Sequence, residues 1–123
     1  MIVDMETREL SPDMTALIFS GRLILGNRLS EVEHAIRQSI QQGMKKLVLD
    51  FSGLKLIDSA GIGVVAVCLG LMERAGGKLA VAGADGQVKN TLALTHLDRV
   101  LGMYPDLPSA QSALSAPGVQ PQA

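Results

Sequence analysis

The residues best placed to do chemistry are an adjacent acid and hydroxyl, Asp58 and Ser59, within Ile57-Asp58-Ser59-Ala60-Gly61-Ile62-Gly63. The run joins a strand-like apolar segment to a helix-like one, so the pair falls at a helix start. An aspartate there can cap the helix with the serine in its first turn, both satisfying free backbone N–H groups. The same end carries partial positive charge, which would stabilise a phosphoryl group on Ser59. Phosphorylation would add about −1.5 to −2 charges at neutral pH. Capping explains the acid and the hydroxyl but not the small residues that follow both. On residue types alone the two readings stay open.

Other chemistry is poorly supported. Ser59 lacks the flanking glycines of a G-x-S-x-G nucleophile elbow. The two histidines, His34 and His96, are far apart in sequence, and His34 belongs to a predicted helix. No Cys/His cluster has metal-ligand spacing, and no cofactor is expected. Ala60-Gly61-Ile62-Gly63 opens a helix after a strand, the right place for a phosphate cradle, but the G-x-x-x-x-G-K-[ST] pattern is absent. A dinucleotide fingerprint would need a third glycine where Ala66 stands. A small-ligand module using the amides of this helix start is the remaining alternative.

The flanking elements must position the pair. Residues 2–9 alternate with period two, as a half-buried strand does. Ser11-Pro12-Asp13 is turn chemistry, and Thr15 to Ser20 forms a second strand of a hairpin. Gly21 to Asn27 then leads the chain off that strand. Leu29, Val32, Ala35, Ile36 and Ile40 make a helical stripe, with Ser30 or Asn27 as cap and Gly43 at its end. Lys46 to Phe51 reads as a central strand, Ser52-Gly53 as a turn, and Leu54 to Ile57 as the lead into the Asp-Ser pair.

From Ala60 to Ala75 the chain is apolar nearly all round, which predicts a helix buried on most sides. Gly76-Gly77 stops it, and Lys78 to Ala82 is another strand. Asp85 can cap a helix to about Thr95 with Val88 and Leu92 on one side. Val100 to Tyr104 is a last strand, and Asp106-Leu107-Pro108 opens a terminal helix lined by Leu107, Ala110 and Leu114. The order β-β-α-β-α-β-α-β-α defines a single α/β domain over residues 1–116. Its sheet is mixed and four- to five-stranded, with about four packed helices. Residues 117–123 are expected to be a disordered tail.

Composition narrows the function. Net charge is −1, without the basic footprint of a nucleic-acid binder. Three aromatic residues, Phe19, Phe51 and Tyr104, are too few for a base-stacking platform. The single cysteine, Cys68, excludes an internal disulfide, suits a reducing compartment and reads as a core residue. The longest apolar run, Ala60 to Met72, is short of the roughly 18–20 residues of a membrane span, and no signal peptide is evident. A cytoplasmic location is the expectation.

The stretch LVLDFSGLKLIDSAGIGVV, continued by ERAGGKLAVAG and LDRVLGMYPD, resembles the STAS-domain anti-sigma-factor antagonists of bacteria. The shared pattern is a strand, a turn, Asp-Ser-[Ser/Thr/Ala]-Gly-[Leu/Ile]-Gly opening a buried helix, then Gly-Gly before the next strand. It extends from about Ile2 to Leu114. The resemblance implies a STAS-like domain with no catalytic apparatus, acting as a partner switch. The serine after the aspartate, here Ser59, would be phosphorylated by a partner that is both serine kinase and anti-sigma factor. The unmodified form binds that partner, the phosphorylated form is released, and a separate phosphatase restores it.

A partner over this helix start would contact Asp58, Ala60, Gly61 and Ile62 together with Leu25, Gly26 and Asn27. The small residues would give it room to approach. Several family members carry Gly-Glu-Leu-Asp where this chain has Gly21-Arg22-Leu23-Ile24, which implies different charge complementarity. The family's frequent second hydroxyl is Ala60 here. A rival from another class is an accessory subunit of a transporter, such as a lipid-transport ATPase, in which Ser59 is only a contact. Neither nucleic-acid binding nor membrane insertion is expected, and the chain would be a monomer or weak homodimer.

Overall fold

The computed structural model describes residues 4–26 and 28–115. Ten segments follow in order. They are β1 (Asp4–Ser11), β2 (Met14–Leu23), α1 (Leu29–Gln41), β3 (Lys46–Ile57), α2 (Ser59–Arg74), β4 (Lys78–Ala82), α3 (Gly86–Leu94), a 3-10 turn (Leu97–Arg99), β5 (Gly102–Tyr104) and α4 (Leu107–Ser115). The chain is a single α/β domain. Its five strands lie in sequence order, with β1 antiparallel to β2 and every later pair parallel. Parallel neighbours need crossovers, and α1, α2 and α3 supply them. The proposed 117–123 tail lies outside the described residues.

Alternation along the strands divides the interior into two layers. Leu47, Leu49 and Phe51 of β3 face a core shared with Val32 and Ile36 of α1, Val65 and Cys68 of α2, and Val88 and Leu92 of α3. Val48 faces the opposite layer, with Met14, Ala80, Ala82 and the α4 residues Ala110 and Leu114. Phe19 and Phe51 meet edge-to-face with ring centroids 5.4 Å apart, joining the two central strands.

Both central strands are longer than their turn-type residues predict. Gly21 does not end β2: it sits at a register shift with φ 90°, and the strand continues through Leu23. Ser52-Gly53 is likewise no turn. The irregularity between the Ile18–Asp50 and Ser20–Gly53 pairs absorbs it, and β3 runs on to Ile57. The buried Asp50 carboxylate holds this irregularity, accepting from the Ser52 N–H at 3.0 Å and the Ser52 Oγ at 2.7 Å. Gly53 has no room for a side chain there, since a Cβ would lie 2.9 Å from the Phe19 carbonyl oxygen.

Two further expectations are corrected and a third is refined. Ser30 does not cap α1, since it lies inside the helix. The cap position is Arg28, left-handed at φ 64° and without a side-chain cap bond, while its guanidinium pairs with Glu31. Asn27 lies outside the described residues. The last strand begins at Gly102 rather than Val100, which follows the 3-10 turn and is exposed. Finally, α2 is buried or half-buried on most sides, with Ile62, Val67 and Leu69 also packed against the core, but it keeps an exposed strip. Val64, Val65, Cys68, Leu71 and Met72 face inward, whereas Gly63, Ala66, Glu73 and Arg74 are exposed. Its outer face keeps contact with water because it carries small residues rather than large apolar ones.

Candidate functional site

The site is the start of α2 with the loop that follows β2. Asp58 is the N-cap in an extended conformation, and its Oδ1 accepts from the Gly61 N–H at 2.9 Å. Its Oδ2 accepts from the Leu25 N–H at 3.0 Å, across 33 positions of sequence. One carboxylate therefore caps the helix and ties the β2–α1 loop to it. The Leu25 and Gly61 hydrogen bonds, in that order, hold the Asp58 carboxyl below the usual carboxylate range. The expected Asp58 cap is thus present, with a second bond that sequence spacing could not show.

Ser59 is the first residue of α2 and is exposed. Its hydroxyl makes no hydrogen bond among the described residues, so the capping role is carried by Asp58 alone. The hydroxyl is offered to solvent at the positive end of a 16-residue helix. Leu25, 77% exposed, projects from the loop that Asp58 holds. Gly26 turns that loop with φ 87°. Ala60 and Ile62 are half-buried, and Ile62 packs partly on the core.

Gly61 differs from the expectation that small residues admit a partner. It is buried, and a Cβ on it would lie 2.1 Å from the Leu23 carbonyl oxygen and 2.7 Å from Ile57 Cγ1. Its smallness lets the first turn of α2 sit against the end of β2, so it acts from beneath the surface rather than on it. Gly63, by contrast, is exposed with nothing within 4 Å of where a Cβ would be.

The residue before the pair is held from the other side. Gln87, in the first turn of α3, accepts from the Ile57 N–H at 3.0 Å with Oε1 and donates to the Ile57 carbonyl at 2.8 Å with Nε2. Sequence reasoning did not single out Gln87, and no local signal in its neighbourhood points to it. His34 and His96 are both exposed and neither is hydrogen-bonded to Ser59. No group of three or more His, Cys, Asp or Glu among the described residues could hold a metal ion. No helix among them is long and apolar enough to cross a membrane.

This fold, a five-stranded mixed sheet with an Asp-Ser helix start beside a short loop, is that of a small STAS domain. The STAS domain model matches residues 7–110, and the chain belongs to that family. A Thermotoga maritima protein named as a candidate anti-sigma factor antagonist is 31% identical over 71 residues, which are 58% of this chain. The chain thus spans 63% of the length of that curated relative. The crystal structure of a Thermotoga maritima protein likewise named as a candidate anti-sigma factor antagonist superposes with a TM-score of 0.82 at 23% identity, covering 91% of this chain and 95% of its own. An anti-sigma factor antagonist from Mycobacterium paratuberculosis gives 0.81 at 20% identity, with 93% and 95% covered. Bacillus SpoIIAA in its phosphorylated form gives 0.73 at 15% identity, with 89% and 97% covered.

Proposed function

We propose that this chain is an anti-sigma factor antagonist, a non-enzymatic interaction module released from its partner by phosphorylation of Ser59. The observation that carries the reading is the exposed, unbonded Ser59 hydroxyl at the start of α2, beside a loop that Asp58 fixes at 3.0 Å. The names of the relatives support the class of partner. The partner is an anti-sigma factor that is also the serine kinase, a phosphatase reverses the modification, and the exchange takes place in the cytoplasm.

The partner surface is Leu25, Gly26, Ser59, Ala60 and Ile62, with Asp58 and Gly61 shaping it from within. Leu25 supplies exposed apolar area at its edge. A phosphoryl group on Ser59 places a dianion under the partner's footprint, beside the Asp58 carboxylate. Like-charge juxtaposition at an interface costs several kcal/mol, and about 2.8 kcal/mol is a hundredfold in affinity. Release therefore needs no rearrangement of the fold.

The test is phosphate transfer from labelled ATP in an extract of the source cells, with the modified residue mapped by mass spectrometry. Wild type should be labelled at Ser59 and Ser59→Ala should not, while Ser59→Ala still captures the partner and Ser59→Asp does not. Because Ser59 is exposed and unbonded, both variants should unfold within about 0.5 kcal/mol of wild type. Equal labelling of wild type and Ser59→Ala removes the assignment. Recovery of an unmodified complex with a transporter would replace the switch with a permanent subunit.

A further inference from the structure

We propose that Gln87 is the positioning residue of the Ser59 site, standing in for a strand that the sheet lacks. Strand β4 ends at Ala82, opposite Asp50, while β3 continues to Ile57. Beyond Asp50 the side of β3 away from β2 has no strand neighbour, and α3 packs there instead. The backbone of Ile57 presents one donor and one acceptor on that open side. A carboxamide is the neutral side chain that carries a matching acceptor and donor, and Gln87 meets both, at 3.0 and 2.8 Å. It reproduces the paired bonds of a β-ladder with a side chain.

The clamp acts one residue before the N-cap. From the β2 side, the Asp58 N–H donates to the Leu23 carbonyl at 3.3 Å and Asp58 Oδ2 accepts from Leu25. From the α3 side, Gln87 holds Ile57. The peptide that launches α2 is thus fixed on two flanks, and with it the direction in which Ser59 points. The start of α3 is itself tightly placed. Asp85 caps it by accepting from the Gly86 N–H at 2.8 Å, and Gly83 approaches β3 so closely that a Cβ would lie 2.7 Å from Ser52 Cβ. Gln87 therefore reaches Ile57 from a braced helix.

Gln87→Glu separates this arrangement from general packing. The ionised carboxylate can accept from the Ile57 N–H, but its second oxygen opposes the Ile57 carbonyl; only the protonated acid restores both bonds. In the full chain labelled with 15N, the Ile57 amide shift of Gln87→Glu should titrate with a midpoint above the ordinary glutamate value of about 4.3. An ordinary midpoint, or an Ile57 amide that does not titrate, overturns the clamp.

The positioning role also rests on Ser59 being the modified residue, and it is read separately. Gln87→Ala should lower the rate of Ser59 labelling from ATP in the source-cell extract roughly five- to tenfold, the equivalent of about one net hydrogen bond. An unchanged rate with the clamp present overturns the positioning role. If Ser59→Ala is labelled as well as wild type, the Ser59 reading fails instead, and the Ile57 titration alone decides the clamp.

Discussion

The sharpest perturbation is the same substitution made twice, two residues apart. In Gly61→Ala the new Cβ would lie 2.1 Å from the Leu23 carbonyl oxygen, where ordinary contact begins at 3.4 Å. The start of α2 must then withdraw from β2 by about 1.3 Å, and the obstacle is backbone, which cannot rotate aside. Overpacking of this kind costs about 1–3 kcal/mol, and withdrawal also strains the Asp58–Leu25 bond that spans the same gap. Alanine returns at most about 1 kcal/mol through helix propensity, so a net loss of about 1–2 kcal/mol is expected. Gly63→Ala places its Cβ in open space on the exposed face and should gain roughly 0.5–1 kcal/mol. Urea unfolding with a common m-value should separate the two midpoints by about 1 M or more. Equal midpoints would refute the close packing of α2 on β2, and with it the claim that Gly61 is an internal spacer.

Two further outcomes test the electrostatics. Asp58→Asn keeps one acceptor but turns a donor toward the Leu25 N–H, so it should lose about 1 kcal/mol at pH 7. The folded carboxyl lies below its unfolded value, so the wild-type advantage is complete above about pH 4 and disappears as pH falls through the folded pKa; paired urea curves from pH 7 to 2 check this, and a constant difference would refute it. Burial pushes the Cys68 thiol up to about 12, so a thiol reagent at pH 8 should react only as fast as the chain unfolds; rapid labelling of the native chain would contradict its place in the core.

The sequence was most informative where a local rule and the final packing agree. The 3.6-residue stripe of α1 buries Val32 and Ile36, as its period requires. Asp58 and Asp85 cap the helices they precede because capping needs only residues one to three positions away. Local rules failed where one residue type serves two purposes. Gly21 and Ser52-Gly53 carry turn chemistry, yet here they bend continuing strands, because burying Leu23, Leu54 and Ile57 outweighs the local preference to turn. The exposed face of α2 was missed for a related reason. Hydropathy counts Gly63 and Ala66 with the apolar residues, although they bring little surface to bury.

What no local rule could reveal about the candidate site is its bracing. Asp58 to Leu25 spans 33 positions and Gln87 to Ile57 spans 30, and neither partner's type forecasts the other. A backbone N–H is present at almost every residue, so a side chain that seeks one leaves no complementary mark in the sequence. The mark lies in the topology. A strand that outruns its neighbour leaves backbone groups without a ladder partner, and a side chain on the next helix along that edge meets them only if it can both donate and accept. Once β4 is known to stop at Ala82 while β3 continues to Ile57, the first turn of α3 is where such a residue must be sought, and Gln87 is the carboxamide there that reaches both groups.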